Sequence, residues 1–257
     1  MDVGLGLLAT AAAVRRLRPD VDLVLSTDPD GMPWGVRTPE DLTARALLVA
    51  EAAAAFQPDL LIVACNTATL LAMPAIRASL GTSVVVVETL PAVAEAAAGG
   101  GPFAVWGTPT GVRSEGLQRL LGRFAAGVSV AEVACHGLSD AIETADAEAT
   151  TAAITAAVAK TPIAVRSVVL ACTHYELVAP QIRAVLLRGG GGAGPALHGS
   201  ADALARRALA SVGLKPQPGV AATGSLTVLR SGRVEELPAA ASAYVEGRLL
   251  HGSAVPG

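Results

Sequence analysis

The chain has 257 residues, of which 52% are hydrophobic and 16% are charged, and its formal net charge is −3. This length and hydrophobic content allow a large buried core in one or two domains. The charges are spread along the chain and leave no basic face for phosphate backbones, which argues against nucleic acid as a partner.

The first apolar stretch, from Val3 to Val14, is too short to span a bilayer. It follows an acidic residue, where a signal peptide would carry basic ones. We therefore expect no membrane association and a cytoplasmic location.

Short β-branched or apolar runs alternate with alanine-rich stretches along the chain. Such alternation predicts mainly parallel strands joined by crossover helices. Thr38 and Pro39, followed by two acidic residues, predict a helix start ahead of the periodic run to Phe56. The sequence GGGGAGP at 189–195 predicts a flexible connection, not a phosphate loop. The predicted strands are residues 21–25, 60–64, 84–87, 103–106, 128–133 and 168–171.

Two segments repeat one pattern. They are residues 59–69 (DLLIVACNTAT) and 167–177 (SVVLACTHYEL). In each segment a predicted buried strand is followed by Ala-Cys, then by a polar residue and a predicted helix. This repetition indicates that the two halves of the chain arose by duplication. Because ligands bind beyond the carboxyl ends of parallel strands, Cys65 and Cys172 are predicted at such ends, facing each other across a cleft between two lobes.

A thiol at a strand end that is followed by a helix lies near unpaired backbone N–H groups, which favour the thiolate. Two thiols on opposite sides of one carbon suit racemisation, one acting as base and the other as acid. The alternative is that these cysteines are inert core residues, the interpretation we adopt for Cys135. A zinc site at Cys65, Cys172 and His174 is a weaker alternative, because Cys-x-His spacing is too tight to be typical.

No cofactor is predicted. Pyridoxal phosphate, the usual cofactor for amino-acid racemisation, needs a lysine for its Schiff base. The only lysines are Lys160 and Lys215, and both lie beside prolines in stretches predicted to be loops. No metal is predicted either.

Six motifs are similar to those of the glutamate racemase family, within the aspartate/glutamate racemase superfamily. They follow the family's order and spacing, and the pair ACNTA and CTHY is highly specific. The motifs are residues 2–8 (DVGLGLL), 28–35 (DPDGMPWG), 63–69 (VACNTAT), 107–114 (GTPTGVRS), 134–143 (ACHGLSDAIE) and 170–177 (LACTHYEL).

The resemblance implies a role for each matching residue. Cys65 would exchange the α-proton with D-glutamate and Cys172 with L-glutamate. Acidic residues Asp2 and Asp28 would lie beside the first cysteine, and His174 and Glu143, the latter at the start of an acidic helix, would be partners of the second. The substrate-binding residues implied are Asp28, Pro33, Trp34, Gly35, Asn66, Thr67, Thr108 and Thr173.

Four departures from the family pattern affect this site. Val3 replaces a serine, Trp34 replaces a tyrosine, and Gly111 replaces a threonine. Family members also carry a β-strand before the first aspartate, whereas only Met1 precedes Asp2 here. We expect either that the given start is too late or that the protein tolerates loss of the strand that anchors Asp2.

The sequence therefore predicts an α/β fold of two similar lobes, with mainly parallel sheets flanked by helices. Residues 1–90 with 199–257 would carry Cys65, and residues 91–198 would carry Cys172. The resemblance implies a cofactor-independent glutamate racemase that supplies D-glutamate for peptidoglycan and thus for cell shape. Alternatives are an aspartate or hydantoin racemase, a decarboxylase of the arylmalonate type, and a degenerate ligand-binding member. The oligomeric state, with a homodimer as one option, is not fixed by the sequence.

Overall fold

The computed structural model describes residues 1–188 and 194–252. The chain divides into two compact units, the first made of residues 1–89 with 201–257 and the second of residues 90–200. Residues 189–193 of the predicted glycine-rich connection lie outside the described residues.

Strands and helices alternate along the described chain, as the sequence pattern predicts. The strands are β1 (Leu23–Thr27), β2 (Leu60–Val63), β3 (Val85–Glu88), β4 (Phe103–Gly107), β5 (Val130–Ala134), β6 (Ser167–Leu170), β7 (Ala196–His198), β8 (Leu226–Arg230) and β9 (Arg233–Val234). The α-helices are α1 (Leu7–Leu17), α2 (Pro39–Ala54), α3 (Asn66–Leu71), α4 (Met73–Leu80), α5 (Val93–Ala98), α6 (Pro109–Val112), α7 (Glu115–Phe124), α8 (Leu138–Glu143), α9 (Ala147–Lys160), α10 (Thr173–Glu176), α11 (Ala179–Arg188), α12 (Ala201–Ser211) and α13 (Val245–His251).

The first unit contains two small sheets, with strand orders β1-β8-β9 and β2-β3. The amino-terminal residues lie between the ends of these sheets. The amide of Asp2 donates to the carbonyl oxygen of Ser26 at 3.1 Å, and the amide of Ala64 donates to that of Met1 at 2.9 Å. The first residues of the chain thereby connect the carboxyl ends of β1 and β2.

The second unit contains one parallel sheet of order β5-β4-β6-β7. Phe103, Val105 and Val169 are fully buried on this sheet, beneath α5, α6 and α7. Burial of both faces explains the continuous apolar runs in β4 and β6. The predicted α/β fold with parallel sheets flanked by helices is confirmed; among the described ladders only β8 and β9 pair antiparallel. No described helix is long and apolar enough to cross a membrane.

One local prediction is wrong, and one hairpin was not predicted. Lys160 is the last residue of α9, not a loop residue, because the helix continues until Thr161 and Pro162 end it. The β8–β9 hairpin was not predicted, although its turn carries a recognisable signal. Ser231 and Gly232 both have positive φ, of 47° and 81°, as a two-residue hairpin turn requires.

Candidate active site

Cys65 lies at the carboxyl end of β2 and is the N-cap residue of α3. Its backbone is extended, and its carbonyl accepts the first helical hydrogen bond, from the amide of Thr69 at 2.9 Å. Asn66 and Thr67 form the first turn of α3 and are half-buried. Cys65 is 5% exposed. This strand end therefore combines a thiol with the amide-rich start of a helix.

Asp2 is fully buried, and its Oδ1 accepts a hydrogen bond from the amide of Val3 at 2.6 Å. The α-amine of Met1 next to it donates to the carbonyl oxygen of Ile62 at 2.6 Å. Burial lowers the pKa of this amine to about 6, against the opposing effect of the negative charges of Asp2 and Cys65. Asp2 is therefore held at the same sheet edge as Cys65.

Asp28 follows β1 directly and is fully buried. Its Oδ2 accepts from the indole N–H of Trp34 at 2.8 Å and from Nε of Arg45 at 2.8 Å. Its Oδ1 accepts from the hydroxyl of Ser231 at 3.0 Å and from a second Arg45 nitrogen. Burial alone would raise the pKa of Asp28, but these hydrogen bonds outweigh it and hold the pKa below its usual range.

The segment after Asp28 is fixed by that carboxylate. Trp34 is 1% exposed, whereas Pro33 is exposed and Gly35 is half-buried. The guanidinium of Arg37 donates to the carbonyl of Gly31 at 2.6 Å. The tryptophan thus anchors the segment through its N–H, which is the polar contact that its ring has available.

Cys172 lies beyond the carboxyl end of β6 and is the N-cap residue of α10. Its Sγ lies 3.9 Å from Nδ1 of His174, and Nε2 of that histidine lies 2.8 Å from Oε2 of Glu143. His174 is 4% exposed. In the neutral tautomer that carries its proton on Nε2, His174 donates to the carboxylate of Glu143. Its Nδ1 is then an acceptor directed at the thiol of Cys172. The three side chains form a continuous path for a proton.

Glu143 is the last residue of α8, so its predicted place at the start of an acidic helix is wrong. The acidic start belongs to α9, which Asp146 caps through a hydrogen bond to the amide of Ala149. Ala145, with φ of 54°, separates the two helices. The short α8 lies against α10, and its carboxyl end therefore brings Glu143 to His174.

Other strand ends of the second unit carry polar residues at the same sheet edge. Thr108 follows β4, and its hydroxyl caps α6 by accepting from the amide of Gly111 at 3.1 Å. Thr173 follows Cys172 and is buried. A Cβ added at Gly111 would lie 3.0 Å from the Thr108 hydroxyl, so the glycine leaves room for this cap.

Cys135 follows β5 and is 2% exposed, as its interpretation as a core residue requires. Burial raises the pKa of its thiol to about 12. The hydroxyl of Tyr175 donates to the carbonyl of Cys135 at 3.4 Å beneath the Cys172 strand end. Among residues 1–188 and 194–252, no group of three or more His, Cys, Asp or Glu side chains is arranged to hold a metal ion.

Comparison with known proteins identifies the chain's relatives. Residues 6–208 match the family model described as Asp/Glu/Hydantoin racemase. The chain belongs to this family. It is 34% identical over 241 residues to the glutamate racemase of Sphingopyxis alaskensis, covering 90% of this chain and 87% of that protein. It is 35% identical to the glutamate racemase of a Roseiflexus species, covering 72% and 69% of the two chains.

Solved structures support the same racemase fold. The Escherichia coli glutamate racemase, solved with L-glutamate and the activator UDP-MurNAc-ala, superposes with a TM-score of 0.78 at 21% identity. The match covers 98% of this chain and 93% of that one. The glutamate racemase of Francisella tularensis, solved with D-glutamate, has a TM-score of 0.72 at 16% identity and covers 98% and 92%.

Sequence reasoning missed three residues of the candidate site. Arg45 and Ser231 bind the Asp28 carboxylate from sequence distances of 17 and 203 residues. Tyr175 lies under the second thiol's strand end and is fully buried. The Ser-Gly pair at residues 231 and 232 predicts a hairpin turn, and this was the sequence signal that could have located Ser231. No sequence signal singles out Arg45, which lies on the second turn of α2.

Proposed function

We propose that the chain is a cofactor-independent glutamate racemase that interconverts L- and D-glutamate. The observation that supports this most directly is the Cys172–His174–Glu143 path, at 3.9 and 2.8 Å, in a chain 34% identical to a curated glutamate racemase. Such a path gives a thiol a base that is oriented and charge-stabilised by a carboxylate.

The proposed reaction moves one proton off the α-carbon and another onto it. In the L-to-D direction the Cys172 thiolate removes the α-proton, and the Cys65 thiol donates its proton to the opposite face of the resulting carbanion. The carbon–hydrogen bond that breaks leaves its electron pair on the α-carbon, and the new bond uses that pair. In the reverse direction the two thiols exchange roles, as acid–base catalysis in both directions requires.

The residues around each thiol would prepare it for this task. His174 takes the thiol proton of Cys172, and Glu143 stabilises the imidazolium that forms. Asp2 serves the corresponding role near Cys65 at the other strand end. The substrate's carboxylates and ammonium group would be held by Asn66, Thr67, Thr108 and Thr173, with Asp28, Pro33, Trp34 and Gly35 shaping the pocket.

The proposal extends to the biological role. A cytoplasmic enzyme of this activity would supply D-glutamate for peptidoglycan, and through it for cell wall biogenesis and cell shape. The relatives named glutamate racemase support the activity on which this role depends. A homodimer is the assembly that we propose, and sedimentation velocity at micromolar concentration tests it.

The experiment that tests the activity follows α-proton exchange in deuterated water by NMR, for both enantiomers of glutamate and of aspartate. Racemisation of glutamate in the parent protein, absent in Cys65→Ala and Cys172→Ala, is the expected result. Each variant should still exchange the α-proton of the enantiomer that its remaining thiol faces: D-glutamate for Cys172→Ala and L-glutamate for Cys65→Ala.

The alternatives give different results in the same experiment. Faster exchange of aspartate than of glutamate would identify another amino-acid racemase of the family. Binding of glutamate without exchange would identify a ligand-binding member, for which the changes at Val3 and Gly111 are the motivating observations. Cys135→Ala is the matched control, because its buried thiol has no assigned role.

A further inference from the structure

The turn of the β8–β9 hairpin lies beside the end of β1. The strands β1 and β8 are parallel, with Thr27 opposite Arg230. The next residues along the two strands, Asp28 and Ser231, are therefore neighbours. The amide of Ser231 donates to the carbonyl of Thr27 at 2.8 Å and continues the ladder by one step. The register of the two strands thus places the turn against the segment that follows β1.

Residues 28–35, here called the substrate segment, lie on two single turns of 3-10 helix, Pro29–Gly31 and Trp34–Val36. The hydrogen bonds of such turns have poorer geometry than those of an α-helix, so contacts from side chains decide where the segment lies. A Cβ added at Gly31 would overlap Oδ2 of Asp28. The backbone therefore packs directly on the buried carboxylate, and whatever fixes the carboxylate also fixes the segment.

The hydroxyl of Ser231 connects the hairpin turn to two points of the substrate segment. It donates to Oδ1 of Asp28 at 3.0 Å and accepts from the amide of Asp30 at 3.1 Å. A hydroxyl suits this place, because it is both a donor and an acceptor. One side chain thus holds the carboxylate and the backbone two residues later in a single geometry.

The guanidinium of Arg233 holds the same segment from the other side of the turn. Its two terminal nitrogens donate to the two carboxylate oxygens of Asp30 at 2.9 and 3.3 Å. Pairing at two points fixes orientation as well as distance. Both side chains are more than half exposed, so the pair contributes little to the free energy of unfolding. Its effect is on the geometry of the segment.

Building on the racemase function proposed above, we propose that Ser231 and Arg233 are positioning residues, which hold the substrate segment in place and thereby set the affinity for the amino-acid substrate. They act through Asp28 and Asp30, and the hairpin that carries them lies some 200 positions later in the chain.

The position of the two thiols decides which kinetic constant should respond. Cys65 and Cys172, which move the proton in the proposed reaction, lie outside the substrate segment. Displacement of the segment therefore removes binding energy that is equal in the ground state and the transition state. Loss of such uniform binding raises KM and leaves kcat nearly unchanged.

The test compares the parent protein with three variants. Ser231→Gly removes the hydroxyl and keeps the turn, because glycine adopts the positive φ of this position. Arg233→Met removes the guanidinium. The matched control is Arg230→Met, which removes an ion pair within the hairpin, to Glu235 at 2.8 Å. Both kcat and KM are measured for each enantiomer of glutamate. Hydrogen exchange is followed at the amide of Gly31, which donates to the carbonyl of Asp28 at 3.1 Å.

We expect KM to rise about tenfold in Ser231→Gly, the effect of one hydrogen bond to a charged group, with kcat within about twofold of the parent. The Gly31 amide should exchange at least about fivefold faster in this variant. In Arg233→Met, KM should rise about threefold, as for an exposed pair. Arg230→Met should keep parental values throughout.

Parental KM and parental Gly31 exchange in Ser231→Gly would overturn the proposal. So would a fall in kcat at constant KM, or an equal rise of KM in Arg230→Met. If Ser231→Gly does not fold, parental KM in Arg233→Met is the overturning result. A parent protein without glutamate racemisation would instead refute the proposed function. Calorimetric titration with glutamate and Gly31 exchange need no turnover, and parental values of both in Ser231→Gly would then overturn the positioning role.

Discussion

Nε2 of His174 lies 2.8 Å from Oε2 of Glu143, a residue 31 positions earlier in the chain. The histidine is almost fully buried, and its other ring nitrogen is directed at the thiol of Cys172. A buried imidazole that contacts both a carboxylate and a thiol has one tautomer and one orientation fixed by its neighbours. This relationship makes the second thiol the better-defined half of the proposed active site.

Glu143→Gln should lower kcat for glutamate racemisation by about 10²-fold, because the imidazolium loses its stabilising charge. The amide preserves the size of the side chain, so the melting temperature should change little. Kinetics by circular dichroism of glutamate provide the measurement. Asp140→Asn, on the exposed side of the same helix, is the control and should keep parental kcat. A Glu143→Gln protein of parental activity would remove the carboxylate from the mechanism.

Arg45→Met should destabilise the protein by about 3 kcal/mol, because it leaves the fully buried carboxylate of Asp28 without its cation. Urea unfolding at pH 7 measures the difference. The matched control is Arg119→Met, whose partner Glu115 is 91% exposed, and it should change stability by less than about 1 kcal/mol. Equal effects of the two substitutions would show that the buried ion pair contributes no more than the exposed one.

The difference in unfolding free energy between the parent and Arg45→Met should depend on pH, because it depends on the charge of the Asp28 carboxyl. Its pKa is lowered in the folded protein, so its stabilising contribution is present above the unfolded pKa and is lost as pH falls through the folded value. The stability difference between the parent and Arg45→Met should therefore shrink in acid. A difference that grows on acidification would contradict this sign.

The buried amine of Met1 predicts that stability rises between about pH 6 and pH 8. Its pKa is about 6 in the folded protein and 8.0 when exposed, so the unfolded chain binds more protons in this window. The gain is about 3 kcal/mol, complete above pH 8 and absent below pH 6. Urea unfolding across this range measures it. An amino-terminally acetylated protein lacks the titrating amine and should show a correspondingly flatter profile.

Iodoacetamide at pH 7.5 should modify Cys172 well before Cys135. Cys172 is partly exposed, whereas Cys135 is 2% exposed and burial raises the pKa of its thiol to about 12, which leaves almost no thiolate. Mass spectrometry of tryptic peptides follows the two rates. All three cysteines should react in urea. Modification of Cys135 at the rate of Cys172 in the native protein would show that its strand end opens to solvent.

The sequence by itself determined the strand-Cys-helix pattern at Cys65 and Cys172 and the parallel α/β class. These features depend on residues close together in the chain: apolar runs that form buried strands, and polar residues that begin helices. The helix that begins after Thr38 was predicted for the same reason, and it runs from Pro39 to Ala54. Family motifs added the names of the partner residues but gave no distances.

Only the tertiary structure decided which distant groups meet. Asp28 accepts a hydrogen bond from Ser231, which lies 203 residues later in the chain. Ser231 is in the turn of the β8–β9 hairpin, which the sequence did not predict. Glu143 contacts His174 from the carboxyl end of α8, although the local sequence predicted that Glu143 lies at the start of a helix. Packing of elements remote in sequence fixes such contacts, and local propensity carries no information about it.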